Sequence, residues 1–269
     1  MNGKLLEVKI LDAIDKCMGR VSVAIDLPSR SIQINDDTPY PAASLIKVPI
    51  LLEGFRQAEQ GGIDLNEIVL VPIEDRVGGA GVLSALSKNM SLTVEDLLTL
   101  MIIVSDNTAT NLMIDRIGAE AINNLCNSLA LKHTRLSRKL MDFQSKEQGY
   151  DNLTSASDII TCLRILDQSP LFSEQSREKM LSILHQQQFD TKLPARMDRE
   201  RVFIANKTGE LPGIDHDCAI VRCNEKTAYI AVLIDGLGKN ESARGTIAEI
   251  GKLLYDYLTK PDFLKSGLT

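Results

Sequence analysis

Ser44-Leu45-Ile46-Lys47 sets a hydroxyl and an amine three residues apart at what reads as the start of a helix. A serine hydroxyl is a weak nucleophile at neutral pH and needs a neighbouring base, and a lysine three positions later on a helix shares its face. Pro41-Ala42-Ala43 comes just before, which puts Ser44 where free backbone N–H groups and the helix dipole favour developing negative charge. Lys47 can act as a base only without its proton, and burial beside Val48-Pro49-Ile50-Leu51 would lower its pKa in that direction. The same spacing recurs at Ser176-Arg177-Glu178-Lys179 in a charged, solvated helix pattern, so spacing alone does not single out a site.

Two further groups narrow the choice. Ser105-Asp106-Asn107 interrupts an apolar helical pattern with three polar residues, and buried polar groups without partners are costly, so these either cap a helix or face a polar site. Lys207-Thr208-Gly209 follows a strand pattern; its glycine allows close approach of a ligand to the strand edge, and Lys207 and Thr208 there would bind a carboxylate. Joined to the Ser44/Lys47 pair, these groups are compatible with acyl transfer to a serine.

The elements that must carry these residues follow from periodicity. An amphipathic helix is expected over about 4–17, and a hairpin at 20–26 and 31–35 around Leu27-Pro28-Ser29-Arg30. A helix should run from Ser44 to about Gln60, where Gly61-Gly62 is a stop signal. A long central helix is expected from Thr93 to Arg116, with further helices at about 118–130, 155–168 and 173–187. Strand patterns return at 202–205, 218–221 and 228–234, and a last helix covers about 241–259. This order predicts an α/β (α+β) fold, one antiparallel sheet built from both chain ends and flanked by helices, with a helical block inserted. The expected single catalytic domain, 1–269, divides into an α/β subdomain of about 1–43 and 186–269 and a helical subdomain of about 44–185.

Composition excludes several classes. The 269 residues are 44% hydrophobic and 25% charged, ordinary for a globular enzyme and ample for a large core. A net charge of −6 and a pI near 5.2 leave no basic face for nucleic acid. The five cysteines are scattered and lack C-x-x-C spacing, so reduced, mostly buried thiols are expected rather than a disulfide framework or a zinc site. His216, Cys218 and Cys223 could be imagined as ligands, but they share a strand pattern whose alternation separates them, and neither a metal nor a cofactor is expected. Charges interrupt the first apolar residues, so the chain as it stands carries no export signal and reads as cytoplasmic, or as secreted if a leader has been removed. No run approaches a membrane span. The expected partner is a small molecule, and a monomer is expected.

Together the motifs resemble the class A β-lactamase and penicillin-binding-protein superfamily over about residues 18–260. Gly79-Ala80-Gly81-Val82-Leu83 is similar to that family's loop beside the site, and Ile247-Ala248-Glu249-Ile250-Gly251 to its last helix. The resemblance implies a five-stranded sheet with an all-helical insertion, Ser44 as acylated nucleophile, Lys47 as proton acceptor, Ser105 as relay to the leaving nitrogen, and Asn107 as a contact to the substrate amide. Lys207 and Thr208, next to Gly209, would hold the substrate carboxylate, with Arg244 as an auxiliary cation. The backbone N–H groups of Ser44 and Glu210 would form the oxyanion hole. Class A members also carry a loop glutamate that activates the deacylating water. Here Arg138 matches the loop arginine, but the glutamate position is Leu140 and the usual asparagine matches Gln144. Asp142 or Glu147 could substitute, though both also read as solvated loop carboxylates. The substrate implied is a β-lactam, with slow deacylation. The alternatives are a D-alanyl-D-alanine carboxypeptidase or esterase-like enzyme, and a sensor that stays acylated.

Overall fold

A computed structural model of the chain describes residues 2–86, 90–238 and 242–260. The first part runs α1 (Gly3–Ile14), β1 (Arg20–Leu27), β2 (Arg30–Ile34), β3 (Tyr40–Pro41), a 3₁₀ turn at Ala43–Ile46, and α2 (Lys47–Glu59). The middle holds β4 (Ile68–Val71), β5 (Met90–Thr93), α3 (Val94–Ile103), α4 (Asn107–Ile117), α5 (Ala119–Ser128), α6 (Phe143–Glu147) and β6 (Leu153–Thr154). After these come α7 (Ala156–Gln168), α8 (Glu174–His185), β7 (Phe203–Leu211), β8 (Ile214–Cys223), β9 (Lys226–Asp235) and α9 (Arg244–Leu258).

Both ends of the chain build one five-stranded antiparallel sheet, in the order β2-β1-β9-β8-β7. Alternation along the strands divides its two faces. Tyr229, Ala231 and Leu233 of β9 pack into the cluster that includes Leu45, Leu51, Met101 and Leu163 of the helical block. Ile230, Val232 and Ile234 pack into a second cluster with Leu6 and Ile10 of α1 and Ile247 and Leu254 of α9. Fully buried Leu and Ile side chains each contribute about 1.5–3 kcal/mol, so the helical block is held on the sheet mainly by apolar burial.

The structure corrects three expectations. The helix expected over 93–116 is two helices, because Ser105 takes a left-handed backbone (φ 55°) and Asp106 starts α4 afresh, accepting from Ala109 N at 2.9 Å. Lys207-Thr208-Gly209 lies inside β7, at the edge of the sheet, rather than after a strand. Two short ribbons, β4 with β5 and β3 with β6, had no separate signal in the periodicity. All five cysteines are free, and all but the half-buried Cys17 are buried; burial pushes the Cys126 thiol up to about 12. No helix among the described residues is long and apolar enough to cross a membrane.

Candidate active site

Ser44 sits in the 3₁₀ turn that leads into α2, where residues three apart eclipse one another, so it shares its face with Lys47 more closely than on an α-helix. The preceding Ala43 is left-handed (φ 46°), a strained conformation that the surroundings must impose. They do so from the sheet. His216 of β8 holds Pro41 O at 2.9 Å through Nε2, and its ring meets Tyr40 edge-on at 5.9 Å. Ile234 N–H donates to His216 Nδ1 at 3.0 Å, and the same nitrogen lies 2.9 Å from Asp215 O. Burial lowers the His216 pKa to about 4, and the ring is a neutral brace with both nitrogens engaged. Among the described residues no group of three or more His, Cys, Asp or Glu is placed to hold a metal.

Gly209 serves that same packing. A Cβ there would meet Ala43 Cβ and His216 Cβ at 3.3 Å and Leu45 Cγ at 3.4 Å. The close approach it permits is to the segment carrying Ser44 rather than to a ligand.

Lys47 is wholly buried, and its Nζ lies 2.7 Å from Ser105 O, 3.0 Å from Ser105 Oγ and 3.0 Å from Asn107 Oδ1. Its pKa is held well below the usual lysine value, first by desolvation and then by the nearby charge of Lys207. Through Nζ, Lys47 donates to all three oxygens, which fixes the amine between the start of α2 and the α3–α4 junction. On the far side of the Ser105 hydroxyl, Lys207 Nζ donates to Ser105 Oγ at 3.0 Å and to Thr208 O at 2.8 Å. Burial lowers the Lys207 pKa to about 7.

Ser105-Asp106-Asn107 therefore both caps and faces the site. Asp106 caps α4 and accepts from Val82 N at 2.6 Å and Leu83 N at 2.8 Å, while Asn107 donates through its backbone N to Ala80 O at 3.0 Å and through Nδ2 to Gly78 O at 3.1 Å. These bonds bind the 78–83 loop over the helix junction. Gly81 (φ 112°) is required there, because a Cβ would run into Asp106.

A cleft of about 980 Å³ opens over this cluster, lined by Ser44, Ser105, Thr208, Glu210 and Arg244, with Lys192 deeper in it. Arg244 pairs with Glu210 at 2.8 Å rather than standing free. Lys192 had no motif to mark it, only a lysine before Leu193-Pro194. It is buried, donates to Gly209 O at 2.9 Å and His216 O at 3.3 Å, and pairs with Asp215 at 2.9 Å.

The loop residues lie apart from the cleft lining. Arg138 donates to Asp151 at 2.8 Å. Leu140 packs against the helical core, with its N–H on Asn111 Oδ1 at 2.8 Å and its O taking Asn111 Nδ2 at 3.0 Å. Asp142 caps α6, accepting from Ser145 N at 3.0 Å and Ser145 Oγ at 2.6 Å, and these bonds hold its carboxyl below the usual range. Gln144 and Glu147 are exposed on α6.

A helical block thus packs on one face of an antiparallel sheet, and Lys47, Ser105 and Lys207 lie in line beneath a cleft at its β7 edge, a preorganised polar site. Residues 5–258 match the model of the beta-lactamase enzyme family, and the chain belongs to that family. A β-lactamase of Phocaeicola vulgatus is 23% identical over 274 aligned residues, covering 94% of this chain and 85% of its own. The crystal structure of a β-lactamase from Sphaerobacter thermophilus DSM 20745 superposes with a TM-score of 0.87 at 27% identity, covering 97% of this chain and all of that one. A mutant of PBP-A, solved as an acyl-enzyme complex with penicillin G, superposes with a TM-score of 0.85 at 25% identity, covering 95% and 96% of the two chains.

Proposed function

We propose that this β-lactamase-like hydrolase opens β-lactams through a covalent acyl-enzyme on Ser44, and that the ester is released slowly. The observation that carries the reading is the placing of Ser105 Oγ at 3.0 Å from both Lys47 and Lys207, a proton line beside the Ser44 turn. Neutral Lys47 takes the Ser44 proton as Oγ bonds to the lactam carbonyl carbon. The oxyanion is held by the backbone N–H groups of Ser44 and Glu210. As the C–N bond breaks, the proton passes from Lys47 through Ser105 to the leaving nitrogen, and a serine ester remains. Asn107 contacts the substrate amide. Lys207, Thr208 and Arg244 receive the carboxylate, and water later returns Ser44 and the ring-opened acid.

Leu140 favours slow release, since leucine cannot take a proton and the loss of a positioned base costs on the order of 10²–10⁴ in rate. The same observation supports the second reading, a carboxypeptidase- or esterase-like enzyme or a sensor that stays acylated. Intact-mass timing of a penicillin adduct, with burst kinetics on a chromogenic cephalosporin, separates them. We expect one equivalent of adduct, then slow turnover, and no adduct on Ser44→Ala. Adduct on that variant would remove Ser44 from the role of nucleophile, and peptide or ester turnover without lactam turnover would favour the second reading.

A further inference from the structure

Thr208 and Glu210 lie two residues apart on β7, so they face the same side of the strand, and both line the cleft. A substrate carboxylate bound at Thr208 therefore arrives beside the Glu210 carboxylate. That carboxylate is not idle. Its oxygens accept from Arg244 at 2.8 and 2.9 Å, and one lies 3.6 Å from Lys192 Nζ. The remaining charge of Lys192 faces Asp215 at 2.9 Å, and Asp215 is fixed by Ala243 N at 2.8 Å and Ser242 Oγ at 3.1 Å. Among the described residues at this end of the cleft, Lys192 and Arg244 are thus matched by Glu210 and Asp215. Lys207 stands behind them, turned to Ser105 and Thr208 O.

We propose that Glu210 is a specificity-determining residue, its carboxylate occupying the anion-binding end of the cleft in cis and competing with the substrate carboxylate for Arg244 and Lys192. The inference rests on the acyl-transfer reading of the cleft and deepens it. A substrate with a lone carboxylate must displace Glu210 and then lie beside it, whereas one that is neutral or zwitterionic at that end meets no such repulsion. The charge-matched end of the cleft selects for the latter class.

The experiment compares the acylation rate constants of benzylpenicillin and its methyl ester, read by intact mass, in the wild type and in Glu210→Gln, which keeps the backbone N–H. The acid-to-ester rate ratio should rise about ten-fold in the variant, the scale of removing one unit charge at close range in a half-exposed site. Raising salt from about 0.05 to about 0.5 M should leave the wild-type ratio nearly flat, because Lys192 and Arg244 are charge-matched and Lys207 is wholly buried, where salt screens little, and should lower the ratio in the variant, where an exposed cation is left uncompensated. A variant ratio within two-fold of wild type, or a wild-type ratio that falls steeply with salt, overturns the proposal, and the salt arm needs no variant to fold. Failure of both compounds to label the wild type overturns the acyl-transfer reading itself, and this proposal with it.

Discussion

Lys47 and Ser105 meet twice, the amine lying 2.7 Å from the carbonyl oxygen and 3.0 Å from the hydroxyl oxygen of the same residue. The left-handed backbone of Ser105 turns both oxygens toward one nitrogen. The break between α3 and α4 is thus part of the site: a continuous helix would point the Ser105 carbonyl along its own axis.

Replacing Lys47 by Met should slow acylation by about 10²–10⁴-fold, the range for loss of a positioned base. Stability should report the same residue. The folded-state pKa of Lys47 lies below the ordinary 10.5, so between those two values the unfolded chain holds a proton that the folded chain lacks. Stability therefore rises with pH across that window. In Lys47→Met this rise should shrink by up to one proton, measured by urea unfolding at a series of pH values.

The pH profile of acylation should separate the two lysines. Activity needs Lys47 neutral and so falls as pH drops through its lowered pKa, whereas carboxylate binding needs Lys207 charged and weakens as pH rises through about 7. For benzylpenicillin kcat/KM should be bell-shaped, reporting the free enzyme. The methyl ester should lack most of the alkaline fall.

Leu140→Glu should speed release of the penicillin adduct at least about ten-fold, by supplying a carboxylate on the loop that is bonded to Asn111 of α4. It should also lower stability by about 1–3 kcal/mol, because Leu140 is packed against the helical core. Asp142→Asn and Glu147→Gln should leave release nearly unchanged, since Asp142 is engaged by Ser145 and Glu147 is exposed. A hundred-fold slowing in either, read by adduct decay, would name that residue as the base.

Asn111→Ala removes both bonds to the Leu140 backbone and should cost about 1–3 kcal/mol, by leaving polar groups without partners. In a chain of this size the thermal midpoint should fall by about 2–4 °C per kcal/mol. Adduct decay should change as the loop loosens, while the initial labelling of Ser44 stays close to wild type.

Much of the architecture was legible in the sequence because apolar periodicity reports burial. Two strands, a helical block, three strands and a final helix were all marked by it, and the five-stranded sheet follows that order. Periodicity failed where burial continued through a change of backbone. Leu97 and Met101 before the break, and Ala109 and Met113 after it, face the same core, so nothing in their spacing marks the turn at Ser105. Ile68–Val71 and Met90–Thr93 are too short for alternation to separate them from loops, and they were missed.

The sequence by itself determined which groups were available and set Ser44 and Lys47 one turn of backbone apart. The tertiary structure decided what those groups face. It carries Ser105 to Lys47 across 58 residues and to Lys207 across 102. It also buries Lys192 against Asp215 without any motif to announce it, and lays Glu210 on Arg244. Spacing fixes neighbours within a turn or a strand, whereas protonation and charge balance depend on desolvation and on partners from distant segments, which exist only once the chain has closed around them.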